Sequence, residues 1–416
     1  MALFRMLASF ASVVFFVSTV QATTAHAPRG KANTCVIEAN GNGSDDAPAI
    51  RAAFSKCKRD GHIIFEDKKY YVNSPLNTTD LSNVDIDLHG YLLWSNDTSY
   101  WLKNSMPIGY QNQSTVWFLG GHNLHVNGFG TGTFDGNGQA WYDIVKGVSN
   151  YPDRPMGLTI QGAVDSSFVG LNFVQSQMWT MTIMHSDNVL MEDIYVNSTS
   201  HNGNPARNTD GADTMFSNNI VMRRWRVDNG DDAISLKANS TNIVVEDSIF
   251  MTGQGFALGS IGQYVGKFET IENVTVRNIT TIGTKYAAYV KTWTGNQVDY
   301  PPNGGGGGLG FIRNVSIQDL KLKGVRDVAV NIGQCTSFSG AKGDCNSSLF
   351  HVGDIKFTNF TGDIAGKYIG SMQCSSAAGG CSGIEFGDID LIKTATSTVV
   401  DDYKCSNVQG PIGFEC

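Results

Sequence analysis

The chain has 416 residues, enough for two or three ordinary domains or for one elongated repeat structure. Lys plus Arg is 30 against 38 Asp plus Glu, a formal charge of −8 with no basic stripe, so nucleic acid is excluded as the expected partner. Gly is abundant at 47 and Pro scarce at 10, but no G-X-Y period exists, which excludes collagen.

The N-terminal stretch MALFRMLASFASVVFFVSTVQATTAHA has Arg5 early, an apolar run from Leu7 to Val20, and small residues at Ala22, Ala25 and Ala27. That order predicts a secretory signal peptide over 1–22, cleaved between 22 and 27, rather than a buried helix or a membrane anchor. Residues 23–416 are then expected to form one exported domain. No later stretch is long and apolar enough to span a bilayer, so no membrane partner is expected. Two further features agree with export. N-x-S/T sequons occur at Asn42, Asn77, Asn96, Asn112, Asn197, Asn239, Asn273, Asn278, Asn314, Asn346 and Asn359. The eight cysteines fall in close sequence pairs: Cys35 with Cys57, Cys335 with Cys345, Cys374 with Cys381, and Cys405 with Cys416. In an exported chain such a set reads as four disulfides, paired here by sequence proximity alone.

In DDAPAIRAAFSKC, Asp46 is placed to cap a helix with Pro48 in its first turn. Ala49, Ile50, Ala53, Phe54 and Cys57 share one face of that helix, which suits it to cover the end of a larger structure. From about Asn83 one unit then recurs: a polar residue, often Asn, a short alternating strand, a Gly/Asn/Asp turn and another strand. NVLMEDIYVNS, NIVMRRWRVDNG, NIVVEDSIFMTG and NVTVRNITTIG are examples, starting at Asn188, Asn219, Asn242 and Asn273. Such spacing predicts stacked strand repeats, an all-β right-handed parallel β-helix with an N-terminal capping helix. A sandwich or propeller is the alternative, but two-residue NG or DG hairpins are not the rule here. PPNGGGGGLG (Pro301 to Gly310) is expected as a mobile surface loop. Read instead as a phosphate cradle, it lacks the following GK[ST] and helix. The cysteine-rich tail from Gln373 to Cys416 is expected to close the far end.

The chemistry concentrates in NTDGADTMFSNNIVMRRWRVDNGDDAISLK, from Asn208 to Lys237. If one coil takes about 22 residues, Asp210 and the Asp231–Asp232 pair fall on the same edge of adjacent coils. Each piece alone is ordinary, a solvated DD turn or an Asx turn. Together they bring three carboxylates close enough to raise at least one pKa, which supplies a proton donor beside an ionised base. Glycoside hydrolysis requires that pair.

These residues, with TGTFDGNGQAWYD, RPMGLTIQG, SDNVLMEDIYV and GSIGQY, resemble glycoside hydrolase family 28, the polygalacturonases and their relatives. The likeness covers essentially the whole mature chain and implies a parallel β-helix enzyme of the pectin-lyase-like type, acting on pectin with inversion. Carried over, Asp231 is implied as the proton donor, Asp210 and Asp232 as the groups that hold and activate water, and Asn208 as an orienting residue. No metal or other cofactor is implied, and the partner is pectin, an acidic cell-wall polysaccharide.

Two departures bear on substrate. Gly253-Gln254-Gly255 replaces the family's G-H-G, and Tyr289-Val290-Lys291 replaces R-I-K, leaving Lys291 as the remaining cation. Ala233 also stands where many members have cysteine. GSIGQY, with Tyr264, resembles the exo-acting fungal branch, so release of terminal galacturonic acid is expected first and exo-hydrolysis of rhamnogalacturonan second. Asn208, Gln254, Tyr289, Lys291 and Tyr264 are the expected substrate-binding residues; Trp293, His201 and an exposed-looking Lys237 are further cleft candidates. A pectate lyase is the rival enzyme, but no Arg stands beside the DD pair as its base. A catalytically dead polysaccharide-binding solenoid is the non-enzyme reading. With both ends covered, a monomer is expected.

Overall fold

Ala212 pairs with Ile234 and Thr214 with Leu236, so one circuit of the chain takes 22 residues at this point. Repetition of such circuits builds the molecule. The computed structural model describes residues 33–295, 304–337 and 343–416; the leader expected over 1–22 lies outside them. All 29 strands among the described residues belong to one continuous sheet. Among the paired strands only Met106–Pro107, against Ser114–Thr115, runs antiparallel. The fold is a parallel β-helix.

The strand sequences dictate which faces turn inward. In Ser217–Arg223 the alternation buries Ile220 and Met222 and leaves Asn219 outside. Corresponding residues of successive coils then stack, as in the pairs Phe134–Phe173 and Phe357–Phe386, whose ring centroids lie 4.6 and 4.9 Å apart. The recurring asparagines have a different task. Asn188, Asn219, Asn242 and Asn273 all have φ between 54° and 56°, the left-handed conformation that lets a strand turn a corner. Asn273 donates to Asn242 at 3.0 Å and Asn314 to Asn273 at 2.7 Å, so the corners form a hydrogen-bonded ladder. Nine of the eleven sequon asparagines are exposed; Asn197 and Asn239 are half-buried.

Helix α1 (Ala47–Lys56) covers the N-terminal end and buries Ala47, Ile50 and Phe54. Asp46 occupies its N-cap position but does not cap it. Its carboxylate accepts instead from the backbone of Asn40 and of Tyr71, each at 2.7 Å, while Asp45 accepts from Ala47. Asp46 thus rivets the helix entry to the first coil, and its neighbour takes the capping bond. The four disulfides join Cys35–Cys57, Cys335–Cys345, Cys374–Cys381 and Cys405–Cys416, as expected. The glycine run departs from expectation. Pro301 to Asn303 lie outside the described residues, but Gly304 to Gly306 are buried. Added Cβ atoms there would meet Tyr264, Gln263 and the backbone of Thr294 within 3.0 Å. The glycines permit close packing rather than a free loop.

Candidate active site

Four neighbouring strands carry the site: Ala212–Met215, Asp232–Leu236, Gly255–Ile261 and Ala288–Trp293. Their register lines up Asp213, Ser235, Ala257 and Tyr289 in one lateral row, with Gly259 beside Lys291 in the next outward row. Asp210 and Asp231 sit just before their strands, and the pairing shifts register after Asp232, a distortion that re-aims side chains at the sheet edge. The 22-residue circuit is what brings these carboxylates together.

Asp210, Asp231 and Asp232 each offer an oxygen within 4.8 Å of the others. Asp232 is fully buried; its Oδ1 accepts from the Tyr289 hydroxyl and its Oδ2 faces the Lys291 ammonium at 2.8 Å. Asp231 accepts from the backbone N–H of Asn208 at 3.1 Å and of Asp232 at 3.0 Å. Oδ1 of Asp210, a residue only 3% exposed, has no hydrogen-bond partner among the described residues. Burial first, and then the Asp232 charge, push Asp231 up to about 6. Burial, followed by Asp213, Asp231 and Asp232, holds Asp210 well above the usual carboxylate range. Burial opposes the charge on Lys291, but the three carboxylates prevail and raise it. So close a set of carboxylates titrates as a unit and holds a proton at mildly acid pH. The same oxygens could chelate a cation, although Lys291 already supplies a counter-charge at Asp232.

The cleft above them is narrow, about 210 Å³, and its walls include Gln111, Gln113, Asn150, Ser260 and Gln263 beside Trp179 and Trp293. That volume lies below the range of about 300–1,000 Å³ typical of drug-sized ligands. One side is closed where the Gln111 backbone donates to the Tyr264 hydroxyl at 2.9 Å and the Gln111 amide donates to Gln263.

Several expectations change here. Asn208 lines the cleft; its backbone donates to Asp231 and its side chain accepts from the Asn150 backbone at 2.8 Å. Tyr289 turns its hydroxyl onto Asp232 and is absent from the cleft lining, whereas Lys291 reaches both Asp232 and the cleft. Gln254 is half-buried outside the lining, and its backbone donates to the Asp231 carbonyl at 2.7 Å. Tyr264 braces the wall from an adjoining groove, because its hydroxyl is taken by Gln111. His201 is exposed and away from the cleft, tied through its backbone to Gln139. Lys237, expected to be exposed, is 3% exposed because Asp213 and Trp179 enclose its ammonium. Trp293 does line the cleft, and its indole N–H has no partner among the described residues.

The sequence reading missed two charged residues. Asp213, three positions after Asp210, is fully buried and lies 3.1 Å from Lys237. Burial outweighs the Lys237 attraction and pushes it up to about 7. Arg154 is 1% exposed, donates to the carbonyls of Gln177 and Arg207, and is pushed down to about 10 by burial despite Tyr142, Asp231 and Asp210. It is the Arg of RPMGLTIQG, quoted above only for resemblance.

Known proteins resemble the chain over most of its length. The chain is 48% identical to an alpha-L-rhamnosidase of Aspergillus niger, over 94% of this chain and 91% of that one. It is 36% identical to an exopolygalacturonase of Cochliobolus carbonum, over 92% and 85% of the two chains. The endo-xylogalacturonan hydrolase of Aspergillus tubingensis superposes with a TM-score of 0.76 at 25% identity, covering 92% of this chain and 98% of that one. The profile of Glycosyl hydrolases family 28 matches residues 78–414, and the chain belongs to that family of glycosidases.

Proposed function

We propose that this chain is an exo-acting, inverting hydrolase that removes terminal rhamnose from rhamnogalacturonan. One observation carries the choice of sugar: Tyr289 and Lys291, at the positions where relatives present R-x-K, both turn onto Asp232. A uronate carboxylate is gripped best by a bidentate Arg, and here a phenol occupies that place with its hydroxyl already committed. The amides and hydroxyl of Gln113, Asn150 and Ser260 suit a neutral, hydroxylated ring, and Trp293 offers it an apolar face and one N–H. The 48% identity to an alpha-L-rhamnosidase supports the same reading.

In the reaction, Asp231 donates its proton to the glycosidic oxygen as the bond to the anomeric carbon breaks. A water held by the unpartnered oxygen of Asp210, with the charge of Asp232 behind it, adds hydroxide to the opposite face and leaves its proton in the carboxylate cluster. Lys291 and Tyr289 steady Asp232, and Asn208 aims Asp231. The small cleft, braced on one side through Gln111, supports exo action on one terminal sugar. Four disulfides support the exported state, and we place the enzyme outside the cell as a glycosylated monomer.

Galacturonic acid release from polygalacturonate and its oligomers is the second reading. It is favoured by Lys291, a cation lining the cleft whose side chain stays 26% exposed. Incubation with rhamnogalacturonan and with polygalacturonate, Asp231→Asn serving as blank, separates the two. Free rhamnose seen first by NMR as the β-anomer, the inverted product of an α-linked rhamnoside, supports the proposal; free galacturonic acid alone refutes it.

A further inference from the structure

We propose that Lys237 reads the terminal sugar, its ammonium donating to a ring hydroxyl while Asp213 and Trp179 hold it in place. This rests on the reading of the cleft as a glycosidase site, for whichever sugar it takes. Lys237 Nζ lies 3.1 Å from Asp213 Oδ1, 3.2 Å from Ser235 Oγ and 4.6 Å from the centre of the Trp179 ring. An ammonium has three N–H groups: one donates to Ser235, and Asp213 faces another at ion-pair distance. Ser235 has little need of this bond, since its own hydroxyl already donates to the Gly259 carbonyl at 2.6 Å. The side chain is only 3% exposed yet still lines the cleft, which leaves the third N–H for an occupant.

The neighbouring floor has a matching gap. Leu236 pairs with Leu258 and Gly259 with Lys291, so Gly259 separates the two lysines in one outward row. Gly259 has φ +105, and a Cβ there would meet the Lys291 carbonyl at 2.1 Å. Gly259 therefore places no side chain between the two lysines. Lys291 serves Asp232; Lys237 touches none of the three clustered carboxylates at hydrogen-bond distance and is spare for binding. Because Asp213 balances its charge, Lys237 acts as a hydroxyl donor rather than as an anion trap.

The test compares wild type, Lys237→Met, and the paired variant Asp213→Asn/Lys237→Met, which removes both charges and avoids stranding a buried carboxylate. Steady-state kinetics use whichever of rhamnogalacturonan or oligogalacturonate oligomers the wild type cleaves; titration with free rhamnose and free galacturonic acid reads binding directly. The expected result is KM and monosaccharide Kd raised about 10- to 100-fold, the loss of one charge-assisted hydrogen bond, with kcat within a few-fold. Thermal unfolding verifies that the paired variant is folded. A folded variant with unchanged KM and Kd overturns the proposal, as does a fall confined to kcat or a wild type that binds neither sugar. Cleavage of oligogalacturonate alone refutes the rhamnose reading and leaves the Lys237 test intact.

Discussion

Replacing Lys291 by Met removes the positive charge 2.8 Å from Asp232 Oδ2 and leaves a fully buried carboxylate with one hydrogen bond, from Tyr289. Breaking a buried ion pair from one side costs about 3–5 kcal/mol. Lys291 is 26% exposed, so water recovers part of this, and about 2–4 kcal/mol is expected at pH 8. The sign of the pH dependence follows from which form is stranded. The cluster that loses its counter-charge is penalised while it is fully ionised, so the variant's deficit is largest at pH 8 and shrinks toward pH 4 as Asp231 and Asp210, both raised, take up a proton. Urea denaturation of wild type and variant at both pH values measures it. A second readout is kinetic. Lys291 pulls the Asp231 value down, so its removal moves the alkaline limb of the rate profile above about pH 6. A deficit below about 1 kcal/mol that is equal at pH 4 and pH 8 would refute the view that Lys291 is the counter-ion of Asp232.

Wild-type kcat/KM should fall about tenfold per pH unit on the alkaline side, because the donor must carry its proton and burial raises it. The limb is expected near the value of about 6 assigned to Asp231, and a pH–rate profile on oligosaccharide checks it. The same raised value removes stability as pH climbs from 3.8 to about 6, so Tm measured across that window should decline. Tyr289→Arg restores the planar cation of relatives and should raise the ratio of uronate to rhamnose release at least about tenfold, read by product chromatography. Asp46→Ala strands the N–H groups of Asn40 and Tyr71 and should destabilise the N-terminal end by about 2–4 kcal/mol in urea unfolding, with kcat/KM unchanged.

Periodicity made the fold legible because one coil cannot bury its own apolar face, so the pattern in NIVMRRWRV and its repeats had to recur at coil length. The disulfides were legible too, since chain neighbours in a solenoid remain spatial neighbours. The carboxylate cluster followed from the same period: a spacing close to 22 put Asp210 beside the DD pair. Side-chain direction within a row was not legible. Lys237 ends a strand like many exposed lysines, and only the Asp213 carboxylate and the Trp179 ring from other coils show why it is buried. Tyr264 failed for the complementary reason, because a hairpin more than a hundred residues earlier takes its hydroxyl. Gly304 to Gly306 read as flexible from composition, whereas the deciding quantity is the space left by Gln263, Tyr264 and Thr294.

The site divides its work between two kinds of chain. Asp231 and Asp232 are fixed by coil register, by backbone N–H donors and by Lys291, features that a change of substrate leaves untouched. The walls come from the hairpin that presents Gln111 and from the ends of strands around Ser260 and Trp293, where substitutions do not disturb the stacked interior. A tyrosine can therefore replace an arginine at position 289 without dismantling the carboxylates, provided its hydroxyl finds a partner at that depth. Asp232 is that partner, so the residue proposed to change what the cleft can hold also fastens the carboxylate proposed to act on the water.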